Sequence, residues 1–359
     1  MTARALVRVP ASTSNVGAGF DCVGIAVDQW LTVSATFDVE RDAPPVVERG
    51  GTIAALDVAA GVDRIVTGFR AACAYAGRDA RGALAVRASS RIPVARGLGS
   101  SAAATVAGVA IANALVRLGL DHATVAAIAA QVEGHPDNVA AAVFGGATLA
   151  VWTRDPAHAA SATSNGARAT IASGWTDERG GGLTHRSRDG ELVVSELPVA
   201  EDVALVLAVP DFTVRTADAR ARLPREVPHA TAVRAASLAA ALVRGLATGD
   251  GTLLSLALDD VLHVPHRRSL VPGIDAVCAA ARAAGAFGVT LSGSGSALLA
   301  LAPRARAEHV SDVMRESWAV AGVESQAFVS MPRVEGHSVL IRRDCEPGET
   351  DIASRVEGE

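Results

Sequence analysis

The chain has 359 residues, half of them hydrophobic, and a formal net charge of -5. This length supports one large or two medium domains with a sizeable core, and we expect two. The acidic balance and the low aromatic content, with one Tyr, four Trp and seven Phe, argue against nucleic acid as a partner.

Other features of the sequence exclude further classes of protein and of site. No segment reaches the roughly 18 uninterrupted apolar residues of a membrane span, and the N-terminus lacks the apolar stretch of a signal peptide, so we expect a cytoplasmic protein. The four cysteines are far apart without a CxxC pair, which predicts neither a disulfide framework nor a zinc site. The chain contains no lysine, which excludes a Walker-type phosphate lysine and Schiff-base chemistry.

The first half of the chain alternates predicted strands and helices. ALVRVPAST and VGIAVDQWLTVSATFDV have strand character, followed by a helix over 62–76, a strand over 82–92, a small-residue helix from the PVARGLGSS loop to about Leu118, a helix capped by Asp121, and strands near 144–152.

The second half of the chain also alternates predicted strands and helices, after a segment of different composition. Residues 154–189 are rich in Ser, Thr, Gly, Asp and Arg and are predicted to be an exposed insertion. VALVLAVPD and ALLALAP are predicted strands, with helices over ATAVRAASLAAALVRGLATGD and 273–285 and a strand over 286–292. We therefore expect an α+β protein with domains at 1–153 and 190–342, the insertion between them and a polar tail at 343–359.

The stretch PVARGLGSSAAA places glycines and serines at the start of a helix. Free backbone N–H groups and the positive end of the helix dipole favour phosphate there, and Gly97 and Gly99 allow close approach. Ser100 and Ser101 add hydroxyl groups suited to phosphate or Mg²⁺. The absence of GK[ST] and the alanine at position 102 exclude a Walker loop and a dinucleotide fingerprint. The alternative is that the glycines only allow tight helix packing and Ser100 is an ordinary N-cap.

Three motifs together resemble those of the GHMP kinases. PxxxGLGSSAA resembles their phosphate loop, PASTSNVGAGFDCVGIAV (10–27) their first motif, and VTLSGSGSALLAL (289–301) their third, where the superfamily more often has SGAGPT. VEGHPDNVAAAVFGGATL (132–149) resembles the homoserine kinase branch. The resemblance implies two lobes, an N-terminal lobe like ribosomal protein S5 domain 2 and a C-terminal ferredoxin-like α/β sandwich.

The resemblance also implies an ATP site with Mg²⁺. The residues it assigns to the ATP phosphates are Pro93, Arg96, Gly97, Leu98, Gly99, Ser100, Ser101, Ala102 and Ala103. Ser292, Gly293, Ser294 and Gly295 would support this loop. Glu133, together with a loop serine such as Ser101, is the implied metal ligand; the alternative is an ordinary glutamate exposed at a helix end. Asp63, Arg64 and Ile65 lie where the superfamily often has an Asn-led helix start, a signal too weak to assign adenine contacts.

Catalysis is expected around Asn138 and Asp137, together with Glu133. Asn138 resembles the position of the catalytic aspartate of mevalonate kinases, with a register uncertain by one residue. An amide cannot accept a proton at neutral pH, so the resemblance implies that Asn138 aligns the attacking hydroxyl, which a loose phosphoryl-transfer transition state permits. His135 is the alternative base, although a turn residue before Pro136 is the preferred interpretation.

The implied acceptor is L-homoserine. Asn15 and Asp21 match amino-acid contacts of the family, with Asp21 placed for the ammonium group. TADAR keeps Thr216 and Arg220 but has Ala217 where the family has lysine. DDVLHVPHR keeps Arg267 among others, with His266 where tyrosine is common, and the two arginines are the candidates for the substrate carboxylate. Without the resemblance, each would be interpreted as a surface arginine.

Two alternatives to an ATP-dependent homoserine kinase acting in threonine synthesis stay open. One is a GHMP kinase for another small hydroxyl compound, which the altered positions 217 and 266 would favour. The other is a nucleotide-binding regulator of the same fold without transfer activity. Members of the superfamily are commonly homodimers, and the resemblance implies a homodimer here.

Overall fold

The computed structural model describes residues 3–153 and 184–343. Most of the predicted insertion and of the predicted tail therefore lies outside the described residues. The strands are β1 (Ala3–Val16), β2 (Gly19–Asp38), β3 (Val46–Gly51), β4 (Ala83–Ser90), β5 (Ala147–Trp152), β6 (Thr184–Arg186), β7 (Leu192–Leu197), β8 (Val203–Pro210), β9 (Gly288–Leu291), β10 (Leu298–Pro303), β11 (Ser325–Ser330) and β12 (Ser338–Arg343). The helices are α1 (Arg64–Tyr75), α2 (Ser100–Leu115), α3 (His122–Glu133), α4 (Asp137–Phe144), α5 (Thr216–Ala221), α6 (His229–Thr248), α7 (Gly251–Ala257), α8 (Val264–Arg267), α9 (Ile274–Ala283) and α10 (Ala307–Val320).

The larger sheet is organised around β2. This strand pairs antiparallel with β1, β4 and β5, as in the register pairs Val7↔Val33 and Val33↔Ala88. The main strand order is β12-β1-β2-β5-β7-β6. The C-terminal half of β2 also pairs with β4, and β3 runs parallel to β4 on its other side. Alternate residues of β1, such as Val7 and Val9, are fully buried, as the period of two in a strand requires.

Helices α1 to α4 form the layer that covers this sheet. Helix α2 is composed largely of Ala and Val and is buried over most of its length. It crosses α1 at Gly108, where a Cβ would collide with the carbonyl oxygen of Ile65. The small residues therefore bring the two helices into backbone contact and fix the direction of the N-terminus of α2.

The smaller sheet is antiparallel with the order β11-β8-β10-β9. Its β8 strand is buried throughout, consistent with the continuous apolar run in the sequence. Helices α9 and α10 pack on one face around the fully buried Trp318, while the other face joins the core of the first lobe. Two sheets with their own helix layers confirm the expected α+β class.

The lobes do not correspond to two continuous halves of the sequence. Strands β6 and β7 follow residue 183 yet pair into the first sheet, and β12 returns to it from the C-terminal lobe to pair with β1. Ser187, inside the predicted insertion, is buried. The sequence analysis identified neither the strands β3, β6, β7, β11 and β12 nor the helices α4, α5, α7, α8 and α10.

One helix in the described part of the chain is long and apolar enough to cross a membrane by length and composition. It is α6, of which 28% of the most apolar window is buried. The helix carries His229, Arg234 and Arg244. A single helix of this kind is weak support for a membrane span.

Candidate active site

A cleft of about 470 Å³ lies where the two lobes meet. Both lobes and all three sequence motifs contribute to its walls. The lining residues from the predicted site are Asn15, Asp21, Gly97, Leu98, Gly99, Ser100, Ser101, Ala102, Glu133, Asp137, Asn138, Thr216, Arg220, Arg267, Gly293 and Ser294. The structure thus brings residues separated by up to 279 positions into one cavity.

The predicted phosphate loop ends at the start of α2. Gly99 is the N-cap, in the left-handed conformation with φ +67°, and no side chain caps the helix. A Cβ at Gly99 would collide with Ser12 Oγ, so only glycine fits. The alternative in which Ser100 is the N-cap is wrong, because Ser100 is already the first helical residue. The first N–H groups of α2 therefore have no side-chain acceptor at the cap and face the cleft with the positive end of the helix dipole.

The C-terminal glycine loop braces the phosphate loop from the other lobe. Ser292 Oγ donates to the carbonyl oxygen of Gly97 at 2.7 Å and shares a 2.8 Å hydrogen bond with Thr13 Oγ1. The Gly293 N–H donates to the Ser14 carbonyl oxygen at 2.8 Å. These bonds link the first motif, the phosphate loop and the third motif to one another.

Three residues assigned to the phosphate loop lie away from the cleft lining. The Arg96 guanidinium is held by the carbonyl oxygens of Val94, Pro210 and Asp211, and burial lowers its pKa. The Ala103 N–H is already used by the carbonyl oxygen of Gly99, because it forms the first intrahelical bond. Pro93 is half-buried outside the cleft. Arg96 consequently fixes the loop to the end of β8 instead of facing the cavity.

Glu133 ends α3 with its carboxylate directed into the cleft. Its Oε1 accepts hydrogen bonds from Ser101 Oγ at 3.0 Å and from Thr105 Oγ1 at 2.6 Å, and Arg64 Nη1 lies 3.6 Å away. The side chain is only 4% exposed, so the alternative of a glutamate exposed to solvent is wrong. A carboxylate beside two hydroxyl groups is a set of hard oxygen donors, which fits Mg²⁺.

Asn138 lies in the first turn of α4 and its amide is held from both sides. Its Oδ1 accepts from Ser12 Oγ at 2.9 Å, and its Nδ2 donates to Ser14 Oγ at 2.7 Å. The period of two in β1 places both serines on the same face of the strand. The sequence analysis did not identify these serines, although their alternation in PASTSN could have suggested a shared partner.

Asp137 and His135 form a hydrogen-bonded pair next to Asn138. His135 Nδ1 lies 2.8 Å from Asp137 Oδ1, which also accepts the Asn138 N–H at 2.7 Å. Burial opposes charge on both groups, but their mutual interaction outweighs it, so the pKa of Asp137 is lowered and the pKa of His135 is raised. His135 therefore keeps its proton to higher pH than an ordinary histidine, which disfavours its role as a base.

The far end of the cleft carries opposite charges from the two lobes. Arg220 on α5 forms a bidentate ion pair with Asp21, with nitrogen to oxygen distances of 2.9 and 3.2 Å. Asn15 joins Asp21 to the C-terminal glycine loop, because its amide oxygen accepts the Asp21 N–H and its amide nitrogen donates to the Gly293 carbonyl oxygen. Thr216 Oγ1 is 3.3 Å from Ser294 Oγ.

Arg267 lies behind this ion pair and is almost fully buried. Its guanidinium contacts the carbonyl oxygens of Ala219 and Gly293 at 3.3 and 3.4 Å, and it lies over the Phe20 ring at 5.1 Å. The Phe20 ring is also stacked against His263, with ring centroids 5.0 Å apart. Burial lowers the pKa of Arg267, the main effect, while the guanidinium still lines the cleft. A buried cation next to a cavity is a strong site for a carboxylate.

An apolar wall at the opposite end was not predicted from the sequence. It combines side chains from β2, the segment 53–65 and the phosphate loop, and its residues are Leu31, Ile53, Leu56, Val58, Val62, Ile65, Val94 and Ala95. Asp63 caps α1 and pairs with Arg49 at 2.6 Å at its edge. These residues come from several short segments without a shared motif, and the helix start at Asp63 was the only signal for them.

Both lobes match models of a known protein family. Residues 64–146 match the family model for the GHMP kinases N terminal domain, and residues 238–320 match the model named GHMP kinases C terminal. With the glycine loop at the start of α2 and the second lobe closing the cleft, these matches define a GHMP kinase.

Individual relatives indicate the branch of the GHMP kinases to which the chain belongs. The chain is 36% identical over 338 residues to a homoserine kinase of Thermosynechococcus vestitus, covering 94% of this chain and 99% of the relative. It is 37% identical to a homoserine kinase of Nostoc sp., covering 88% and 92%. The crystal structure of homoserine kinase from Cytophaga hutchinsonii superimposes with a TM-score of 0.75 at 26% identity, covering 94% and 97%. The chain belongs to the homoserine kinase family.

Proposed function

We propose that this protein transfers the terminal phosphoryl group of ATP to the side-chain hydroxyl of L-homoserine, forming O-phospho-L-homoserine for threonine synthesis. The observation that supports this best is the charge pattern of one cleft. The cavity is lined by an uncapped helix start and by one acidic and two basic side chains, Asp21, Arg220 and Arg267. This pattern suits a polyphosphate beside a small zwitterion.

ATP would lie with its phosphates on the N–H groups at the start of α2. The apolar wall from Leu31 to Ala95 is the surface on which the base would pack, because it is the hydrophobic end of the same cavity. Gly97 and Gly99 allow the phosphates to approach the backbone closely. The bracing bonds from Ser292 and Gly293 would keep the loop rigid, so binding requires little reordering.

Glu133 and Ser101 would hold a magnesium ion, since their oxygens lie 3.0 Å apart at the edge of the helix start. Bound there, the ion would neutralise negative charge on the phosphates of ATP. Arg64 is placed to add a second positive charge, because it lies 3.6 Å from Glu133 and half of its side chain is exposed. The chain offers no lysine for this task, so arginine and backbone N–H groups must supply the remaining positive potential.

Asn138 would align the hydroxyl of the acceptor. Its hydrogen bonds to Ser12 and Ser14 fix the direction of both ends of the amide while each end keeps capacity for one more partner. An amide does not accept the proton, and a loose transition state allows the hydroxyl to lose it late. The proton would pass to an oxygen of the transferred phosphoryl group. Asp137, held by His135, accepts the Asn138 N–H and so helps to position the aligning residue.

We also propose a cellular location and an oligomeric state for the enzyme. We place it in the cytoplasm, as the sequence predicts, and we retain the homodimer as a prediction from the family resemblance. We favour catalysis over a silent nucleotide-binding regulator, because Glu133, Asn138 and the arginine pair surround one cavity.

The experiment that tests the function is a coupled assay of ADP release with ATP and Mg²⁺. The acceptors are L-homoserine, mevalonate, galactose, shikimate and buffer alone. We expect release with homoserine only. Release with another acceptor would support a kinase for a different hydroxyl compound, and ATP binding without release to any acceptor would support the regulator.

A further inference from the structure

The ion pair between Asp21 and Arg220 occupies the end of the cleft that is assigned to the substrate zwitterion. Both guanidinium N–H contacts, at 2.9 and 3.2 Å, are within normal hydrogen-bond range. The Asp21 side chain is 34% exposed and that of Arg220 is 40% exposed, and both line the cavity. A small molecule can therefore reach the two charges without unfolding either lobe.

The two partners come from different lobes and are positioned separately. Asp21 follows the turn after β1 in the left-handed conformation, with φ +53°, and its N–H is fixed by Asn15 Oδ1 at 2.8 Å. Arg220 belongs to α5 in the C-terminal lobe, 199 residues away in the sequence. The ion pair is thus a cross-lobe contact between one well-anchored carboxylate and one long, flexible cation.

Arg267 differs from Arg220 in its surroundings. Within residues 3–153 and 184–343, no carboxylate oxygen lies within 4.0 Å of its guanidinium, which contacts only carbonyl oxygens and the Phe20 ring. Arg267 is thus an anion site without an acidic partner in the described structure. Arg220, in contrast, already has its negative charge, and a substrate carboxylate must replace that partner.

We propose that the Asp21–Arg220 ion pair is an internal substitute for the substrate zwitterion and that it acts as a filter for ligands with both charges. This inference rests on the proposed function. A zwitterion places its ammonium on Asp21 and its carboxylate on Arg220, so one ion pair is exchanged for two. A ligand with a single charge breaks the same pair but leaves either Asp21 or Arg220 without a partner in the partly desolvated cleft.

The filter predicts how singly charged analogues behave. 4-Hydroxybutanoate is homoserine without its ammonium group, and 3-aminopropan-1-ol is homoserine without its carboxylate. Both should bind the unmodified enzyme much more weakly than homoserine. Each should bind more tightly when the charge that competes with it is removed, by about threefold to tenfold, the range expected for a partly exposed bidentate pair.

The test is a crossed set of variants examined by titration calorimetry of the full chain with each analogue. Asp21→Asn frees Arg220 and should strengthen binding of 4-hydroxybutanoate, whereas Arg220→Gln frees Asp21 and should strengthen binding of 3-aminopropan-1-ol. Neither gain is expected if each residue only contacts the ligand and its charge does not compete with the ligand. If neither single variant shows a gain, whether affinities are unchanged or too weak to measure, the inference is wrong.

The double variant separates pairing from a general change in charge. If Asp21 only repels anions at a distance, Asp21→Asn should strengthen 4-hydroxybutanoate binding equally with and without Arg220. If the ion pair is the filter, the gain should disappear in the Arg220→Gln background, because no pair is left to break. An equal gain in both backgrounds would overturn the inference.

A matched control is available on the same helix, α5. Arg215 and Asp218 form an exposed ion pair with a distance of 2.8 Å outside the cleft lining. Arg215→Gln and Asp218→Asn should leave the affinity of both analogues unchanged. If the two variants show no gain in analogue affinity while the unmodified enzyme phosphorylates homoserine, the filter alone is refuted. If the unmodified enzyme does not turn over homoserine, the proposed function is refuted.

Discussion

The amide nitrogen of Asn138 donates to Ser14 Oγ across 2.7 Å, from the first turn of α4 to the end of β1. The same strand supplies Ser12 to the amide oxygen. The side chain proposed to align the acceptor is therefore oriented by the first sequence motif and carried by the second half of the N-terminal lobe. Replacing this amide should affect the reaction rate more than substrate binding.

Asn138→Ala should lower kcat by about 100-fold, in the range found when one oriented polar group of an active site is removed. The KM for ATP should stay within about threefold, since the phosphate loop is unchanged. Steady-state kinetics with both substrates check this. A kcat within threefold of the original would contradict the assigned role, provided that the melting temperature shows a folded variant.

Glu133→Gln should raise the Mg²⁺ concentration for half-maximal activity by about tenfold or more, because the amide keeps the shape but removes the charge. Chelation of the metal should abolish activity of the unmodified enzyme. Activity is measured against free Mg²⁺ at saturating ATP. Glu316→Gln on the exposed face of α10 is the control, and an identical metal dependence of all three proteins would refute the assignment.

Phe20→Leu should raise the KM for homoserine by about threefold to tenfold with little change in kcat, because the ring supports the Arg267 guanidinium from outside the cleft. Phe20 is thus a positioning residue. Phe20→Tyr keeps the aromatic face and should restore the original KM. A proportional fall in kcat without a change in KM, or a similar effect of Phe328→Leu in the C-terminal sheet, would contradict this role.

His337 should make the enzyme less stable in acid. Burial, the largest effect, lowers its pKa to about 4 from the ordinary 6.5, while its ring nitrogen bonds the Val143 carbonyl oxygen at the end of α4. Below pH 6.5 the unfolded chain takes up a proton that the folded chain refuses, so stability falls as pH drops towards 4, by at most about 3 kcal/mol.

Urea unfolding between pH 7.5 and 4.5 measures this dependence. His337→Asn should flatten the slope of unfolding free energy against pH, whereas His309→Asn on the exposed face of α10 should leave it unchanged. If the slope is the same in all three proteins, other groups cause the acid sensitivity.

The sequence predicted those parts of the site that depend on local chemistry. The helix start at position 100 and the polar residues Glu133 and Asn138 could be identified because each lies in a short motif. The apolar wall could not, since its side chains come one or two at a time from distant segments. Arg96 was misplaced because a motif does not reveal which carbonyl oxygens a long side chain will reach.

The fold class was likewise predictable, and the assignment of strands to lobes was not. Helical and strand periodicity are properties of neighbouring residues, so α1, α2, α3 and β8 were expected near their observed positions. The pairing of β12 with β1 joins residues more than 300 positions apart and leaves no periodic signal. Whether the boundaries at 153 and 190 describe folding units stays a prediction.

The return of β12 to the first sheet means that the backbone passes between the lobes twice, after β7 and again after β11. The two crossings run side by side, and residues Glu196–Val199 of one and Pro332–Arg333 of the other border the same small cavity next to Gly145 and Gly146. Two adjacent crossings restrain the lobes more than one would, because a relative twist or slide would have to distort both. Together with the core that the lobes share, they hold Asp21 and Arg220 in one register.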